Sequence, residues 1–254
     1  MSHTAAEMMA VAAARRLRNG TVCFVGIGLP SKAANLARRT HAPEAVLLYE
    51  SGTIGAKPEH LPLSIGDGEL AERADAVVSV PEIFGYWLQG GRVDVGFLGA
   101  AQIDRFGNLN STVIGPYDTP RVRLPGAGGA PEIAACCRET IVMLHQTPRA
   151  FVSRLDFMTT VGFGDGPGSR EALGFSGAGV TAVVTDLGVL EPDPESCELT
   201  LTELHPGASE DDAREATGWD LRVADGLRVG DPPTADELDV LRALRTINDA
   251  ASAE

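Results

Sequence analysis

Pro43-Glu44-Ala45-Val46-Leu47-Leu48-Tyr49-Glu50-Ser51-Gly52-Thr53-Ile54-Gly55-Ala56 is the stretch that decides the fold class. Residues 44–49 form a short, largely apolar run between a proline and a glycine. A helix needs more length, so the run reads as a buried strand. Glu50 then falls at the end of that strand, and Ser51-Gly52 turns the chain. Ligands of open α/β sheets bind at the carboxyl ends of the strands. A carboxylate there is a candidate for chemistry. The alternative is a strand-end glutamate that caps a turn, since exposed carboxylates are common.

Working outward, apolar runs alternate with helical patterns. Strands are expected at 22–25, 46–49, 76–80, 93–98, 141–144 and 180–185, and helices at 31–39, 130–138 and 211–217. Ser209 precedes the last of these and Gly218 stops it. Thr4 with Glu7, and Thr234 with Glu237, read as capping boxes that open two more helices. The second of these carries Leu238, Leu241, Leu244 and Ile247 on one face. The alternation predicts an α/β fold: an open, mostly parallel sheet with helices on both faces, in one domain spanning residues 1–254. The Gly/Pro-rich stretch 162–179 reads as a long loop, either functional or mobile.

Composition narrows the function. The chain has 254 residues, 44% of them hydrophobic and 22% charged, as in an ordinary globular protein. With 35 acidic residues against 21 basic ones the net charge is −14, and no basic stripe is interleaved with aromatics. Nucleic-acid binding is therefore not expected. The apolar run 8–14 has Glu7 before it and Arg15-Arg16 after it, the reverse of an export signal. No run approaches the ~18 apolar residues of a membrane span. Cys23, Cys136, Cys137 and Cys197 lack metal-ligand spacing, so free thiols in a reducing cytoplasm are expected. The five histidines are scattered, and no metal is expected.

Several glycine-bearing turns compete as sites. Gly26-Ile27-Gly28 precedes a helix but lacks the third glycine of the dinucleotide fingerprint and the lysine of the P-loop. It reads as a tight turn or a weak phosphate cradle. The stretch from Gly99 to Ser111 reads as a hairpin, or as a polar loop presenting amides to a carbonyl. Gly126-Ala127-Gly128-Gly129-Ala130 precedes a helix, so its N–H groups are either plain turn donors or donors to an oxyanion. Gly174-Phe175-Ser176-Gly177-Ala178, with Asp186 and His205 following, imitates a serine-hydrolase order. The closing glycine of the elbow is missing, however, and no convincing strand leads into Ser176.

In order along the chain, these strings resemble the β subunit of the family I CoA-transferases, most closely the glutaconate and 3-oxoadipate CoA-transferase type. The resemblance runs from Val25-Gly26-Ile27-Gly28-Leu29-Pro30 through Glu50-Ser51-Gly52, Leu98-Gly99-Ala100-Ala101-Gln102-Ile103-Asp104 and Gly126-Ala127-Gly128-Gly129-Ala130. It continues to Val184-Thr185-Asp186-Leu187, His205-Pro206-Gly207 and Thr217-Gly218-Trp219-Asp220-Leu221. It implies a CoA-transferase-like fold and puts the family's nucleophilic glutamate on Glu50. Many relatives read Glu-Asn-Gly there; Glu50-Ser51-Gly52 is the variant of the glutaconate-like branch. Gly128 and Gly129 fall on the oxyanion turn. Gln102 falls in the substrate loop, together with either Asn108 or Asn110. Gly26, Gly28 and Ser51 line the CoA or turn loop.

The resemblance implies ping-pong transfer of CoA from an acyl-CoA to a carboxylic acid, such as the dicarboxylates glutaconate or 3-oxoadipate, through a covalent glutamyl-CoA thioester. It also implies an α subunit as partner, in a heterodimer or larger oligomer, and no bound cofactor: the CoA thioester is a substrate. An acyl-CoA hydrolase on the same scaffold, or a catalytically silent partner subunit, is the alternative. Lys57 and Arg92 are candidates for a distal carboxylate, or solvated surface cations.

Overall fold

The computed structural model describes residues 2–244. The chain forms two compact units, one built from residues up to Phe97 and again from Pro233 on, the other from Leu98 to Pro232.

In chain order, unit 1 begins with α1 (Ala5–Ala14), β1 (Val22–Phe24), α2 (Leu29–Arg39), β2 (Val46–Leu48), β3 (Thr53–Ile54) and α3 (Glu69–Glu72). It continues with β4 (Ala76–Val77), α4 (Val80–Glu82) and β5 (Val95–Leu98). Its strands lie in the order β5-β1-β2-β3-β4. The core is parallel: Cys23 pairs with Leu47 on one side and with Val95 on the other. β3 and β4 extend it antiparallel. In α1 the Thr4 side chain accepts the Glu7 N–H while the Glu7 side chain accepts from the Thr4 backbone, so the anticipated capping box is formed. Residues from Met8 to Ala14 are all buried, as suits a helix apolar on every side.

The strand expected over 76–80 stops at Val77. Ser79 Oγ accepts the Glu82 N–H and Pro81 sits in the first turn of α4. A proline has no N–H for a ladder but suits a first helical turn. The chain then passes through a π-helical turn, Ile83–Leu88, with Ile83 and Leu88 buried.

Unit 2 opens with two small hairpins, β6 (Gln102–Ile103) with β7 (Leu109–Asn110) and β8 (Val113–Ile114) with β9 (Val122–Arg123). Then come α5 (Ala130–Cys136), β10 (Glu139–Met143), α6 (Ser169–Ala172), β11 (Val180–Val184) and β12 (Gly188–Pro192). β13 (Leu199–Leu204), α7 (Glu210–Glu215) and β14 (Arg222–Val229) complete it. The strands of the main sheet lie in the order β14-β13-β12-β11-β10. β10–β11 and β13–β14 pair parallel, whereas β12 is antiparallel to both its neighbours. The sheet is open and mostly parallel, as expected, with β12 as an antiparallel insertion.

The loop 162–179 is pinned. Arg170, 6% exposed, donates from its guanidinium to the carbonyls of Gly162, Ala134 and Gly177. Burial holds its pKa below the usual arginine value. The last element, α8 (Ala235–Ala243), returns to unit 1 and packs against α1 and α2. Thr234 caps it with Glu237, and Leu238, Leu241 and Leu244 are buried. Ile247, expected on the same face, lies outside the described residues. No helix among the described residues is long and apolar enough to cross a membrane.

Candidate active site

In unit 1 the sequence candidates gather at one edge. β1 and β2 run parallel and in register, Phe24 beside Leu48, and the Val25 N–H donates to the Leu48 carbonyl at 2.8 Å. Two residues on, β1 reaches Gly26 and β2 reaches Glu50. Glu50 is half-buried just past the carboxyl end of β2. Gly28 is the N-cap of α2 and supplies no side-chain cap, so the turn beside this strand end presents backbone and little else.

The residues on either side of Glu50 hold it from behind. Tyr49 is completely buried, and its hydroxyl lies 3.1 Å from Ser31 Oγ in the first turn of α2. Burial, partly offset by hydrogen bonds from Ser31 and Asn35, pushes the Tyr49 phenol up to about 12. Tyr49 therefore stays neutral and fastens β2 to α2. Beyond Glu50, the Gly52 N–H donates to the Tyr49 carbonyl at 2.9 Å and closes the turn. Gly52 has φ +99°, and a Cβ there would overlap the Val78 carbonyl, so only glycine fits. Among the described residues the buried hydroxyls of Ser51 and Thr53 have no hydrogen-bond partner. Orphan polar atoms around one carboxylate mark a segment shaped by something other than stability.

The unit 2 candidates divide into two groups. Gly128 is exposed and Gly129 is the N-cap of α5. Among the described residues the Gly128 N–H has no acceptor, whereas the Ala130 N–H donates to Ala127. Asn108 and Asn110, by contrast, are buried and saturated. The Asn108 amide nitrogen donates to Asp104 Oδ2 and the Gly164 carbonyl, and its oxygen accepts from the Gly162 and Gly164 N–H groups. Asn110 donates to Gln102 Oε1 and the Val113 carbonyl, and accepts from Thr112 and Val113. An incoming carbonyl would have to displace one of these bonds. Gln102 donates one Nε2 hydrogen to Asp156 at 3.1 Å, and among the described residues the other has no acceptor.

The remaining candidates disperse. Asp186 accepts the Gln146 N–H and faces His145 at 3.4 Å, while His205 Nε2 meets the Thr185 carbonyl. Ser176 is exposed in its loop, so the hydrolase order carries no triad. Lys57 pairs with Asp75, and Arg92 stacks 3.9 Å over Tyr86; both are surface cations. Among the described residues no group of three or more His, Cys, Asp or Glu side chains could hold a metal. Ser31 and Arg170 went unnoticed in the sequence. For Ser31, its place two residues after Leu29, in the first turn of a helix beside the Glu50 strand, was the available signal. For Arg170, a lone arginine in a glycine-rich loop offered none.

The Coenzyme A transferase family model matches residues 6–216. The chain is 61% identical to the B subunit of the 3-oxoadipate CoA-transferase of Pseudomonas knackmussii, over 96% of this chain and 94% of that one. It is 37% identical to the B subunit of the glutaconate CoA-transferase of Acidaminococcus fermentans, over 92% and 90%. The crystal structure of glutaconate coenzyme A-transferase from Acidaminococcus fermentans superposes with a TM-score of 0.91 at 35% identity, covering 98% of this chain and 97% of that one.

Proposed function

From a chain that belongs to the Coenzyme A transferase family as a β-type subunit, we propose a 3-oxoadipate:CoA-transferase in which Glu50 is the nucleophile, working with an α-type partner. The observation that supports this reading is the half-buried carboxylate just past β2, beside a glycine turn and backed by Tyr49 and Gly52. The 61% relative bears the 3-oxoadipate name over nearly its whole length.

The chemistry follows from a carboxylate in that position. Ionised Glu50 attacks the thioester carbonyl of a donor acyl-CoA, giving a mixed anhydride and CoA thiolate. The thiolate returns to the glutamyl carbonyl, leaving a Glu50–CoA thioester and the free donor acid. The carboxylate of the acceptor attacks that thioester, and the same two steps run in reverse to restore Glu50 and release the new acyl-CoA. Each tetrahedral intermediate needs donors aimed at its oxyanion, typically worth about 3 kcal/mol apiece. The Gly128 N–H, open among the described residues, and the Gly129 N–H are our candidates. Water must be kept from the thioester. CoA arrives as substrate, and Asn108, Asn110 and Gln102 support the loop that carries the acyl group.

Intact mass spectrometry of the two-subunit enzyme with acyl-CoA and no acceptor is the test. An adduct of CoA mass mapped to Glu50, discharged by 3-oxoadipate and absent in Glu50→Gln, is expected. Steady thioester loss without an adduct would instead identify a hydrolase. Unaltered turnover in Glu50→Gln would remove the nucleophile assignment.

A further inference from the structure

The β8–β9 hairpin and the segment 153–158 share one exposed face of unit 2. Tyr117, in the hairpin loop, is 53% exposed and stacks on Phe157 with ring centroids 5.3 Å apart. The Arg123 guanidinium lies 5.1 Å from the Tyr117 ring centroid and donates to the Tyr117 carbonyl. Met158, next to Phe157, is 45% exposed. In the same two segments Arg121 and Arg154 line a cleft of about 500 Å³ together with Pro116, Leu155 and Asp156. Elsewhere on this acidic chain arginines meet carboxylates, as Arg15 does Glu237, Arg228 Glu203 and Arg242 Glu7. Among the described residues neither Arg121 nor Arg154 has an ion pair or a side-chain hydrogen bond.

The face is held in shape from behind. The Arg121 N–H donates to the Ile114 carbonyl at 2.9 Å and closes the β8–β9 hairpin. Asp156 Oδ2 accepts the Gly115 N–H at 2.9 Å and Gln102 Nε2 at 3.1 Å, and the Asp156 N–H donates to Gln102 Oε1 at 3.1 Å. Buried Gln102 and the Gly115 N–H thus fasten the segment to the hairpin. A surface fixed in advance loses little freedom when a partner docks. Its composition is that of an interface core. Residues 115–123 and 154–158 include three Arg, a Tyr, a Phe and a Met, and no Lys or Glu. Interface cores are enriched in the first four and depleted in the last two.

We propose that this face docks the α-type subunit, through a segment of that subunit that brings carboxylates to Arg121 and Arg154. The proposal rests on the α-type partner of the reading above. Charge selects this occupant. Arg121, Arg123 and Arg154 against Asp118 and Asp156 leave the two segments with a net charge of +1, on a chain whose net charge is −14. Guanidinium forks match carboxylates in geometry as well as in sign. A second copy of this chain fits less well. A two-fold contact would set one cationic patch against an identical one, and like charges across an interface repel. A contact with another face of the copy would not close into a dimer.

Hydroxyl-radical footprinting, read by mass spectrometry at equal dose, compares the two-subunit enzyme with this chain alone. Tyr117 and Met158 are expected to oxidise about tenfold more slowly in the two-subunit enzyme, since interface cores exclude water. Equal oxidation in both overturns the proposal. So does equal protection in this chain alone, which would assign the face to a second copy. Sedimentation velocity on dilution of the two-subunit enzyme supplies the second readout. Arg121→Glu/Arg154→Glu is expected to raise the dissociation constant about a hundredfold, and to reduce its dependence on salt. An unchanged dissociation constant overturns the proposal. If circular dichroism shows the double variant unfolded, Arg121→Gln and Arg154→Gln decide. Each is expected to weaken association several-fold, and full association in both overturns the proposal. Neither readout uses turnover. An assembled enzyme that transfers nothing would sink the transferase reading and keep this face, whereas two chains that never associate would sink the partner and the face together.

Discussion

Asn108 and Glu50 are both polar residues beside strands, yet they are assigned opposite roles. Asn108 is 1% exposed and makes four hydrogen bonds, tying Asp104 to the Gly162 and Gly164 backbone. Replacing it by alanine strands one oxygen of the Asp104 carboxylate, the Gly164 carbonyl and two N–H groups. Asn108→Ala is expected to cost about 2–4 kcal/mol in urea unfolding, because each buried orphan costs about 1–3 kcal/mol and relaxation recovers part. Glu50→Gln, at a half-buried position, is expected to abolish transfer while the protein keeps its cooperative unfolding. The place of Glu50 just past a strand was legible in the sequence because a strand end is a local pattern. The saturation of Asn108 was not, because three of its four side-chain bonds go to backbone groups more than 50 residues away in the chain. Spacing can place an amide in a loop but cannot say which hydrogens are already used.

At the scale of elements, capping residues were the most readable feature. Thr4 with Glu7 and Thr234 with Glu237 close the anticipated reciprocal caps, and Ser209, read as preceding its helix, closes a third with Asp212. Each needs only a four-residue pattern. The ion pairs those caps also make were invisible: Arg242 donates to Glu7, and Arg15 donates to Glu237, across 235 and 222 residues. The Arg242 hydrogen bond, then the Thr4 N–H, lower the Glu7 pKa from 4.5 to about 2. A carboxyl depressed in the folded state stabilises above its unfolded pKa and loses that contribution as pH falls through the folded one. The stability difference between the protein and Arg242→Ala should therefore be full above about pH 5 and fade towards pH 2. For an exposed pair it should not exceed about 1 kcal/mol. Guanidinium melts across that window would check it, and a difference that grows on acidification would refute it. The strands β12, β13 and β14 went unread for a related reason. β12 ends at Pro192, and shifts in register at Val189/Leu190 and Leu201/Glu203 interrupt the pairing, so the period-two signal is short and broken.

On the scale of the whole molecule, linear reading recovered the α/β alternation and missed that the chain leaves unit 1 at Phe97 and re-enters it at Pro233. Composition and periodicity carry no information about a return across more than 130 residues. The return is stabilising. Leu238, Leu241 and Leu244 are buried with 0%, 6% and 5% exposure, and burying a leucine is worth about 2 kcal/mol. Ending the chain after Pro232 removes some 5 kcal/mol or more, comparable with the whole stability of many domains. The truncated protein is expected to lose the cooperative unfolding of residues 2–97 in hydrogen exchange, while residues 98–232 keep their protection. Retained protection in α1 and α2 would show that α8 is dispensable.

The divided unit also sets a timetable. A ribosome extends the chain N-terminus first at about 5–20 residues per second, so the segment carrying Glu50 leaves the tunnel roughly 10–40 s before the helix that completes its unit. Unit 2, contiguous from Leu98 to Pro232, is fully translated in that interval. The half of the chain assigned the nucleophile is thus the last to close, and until then the buried faces of α1 and α2 stand open to chaperones.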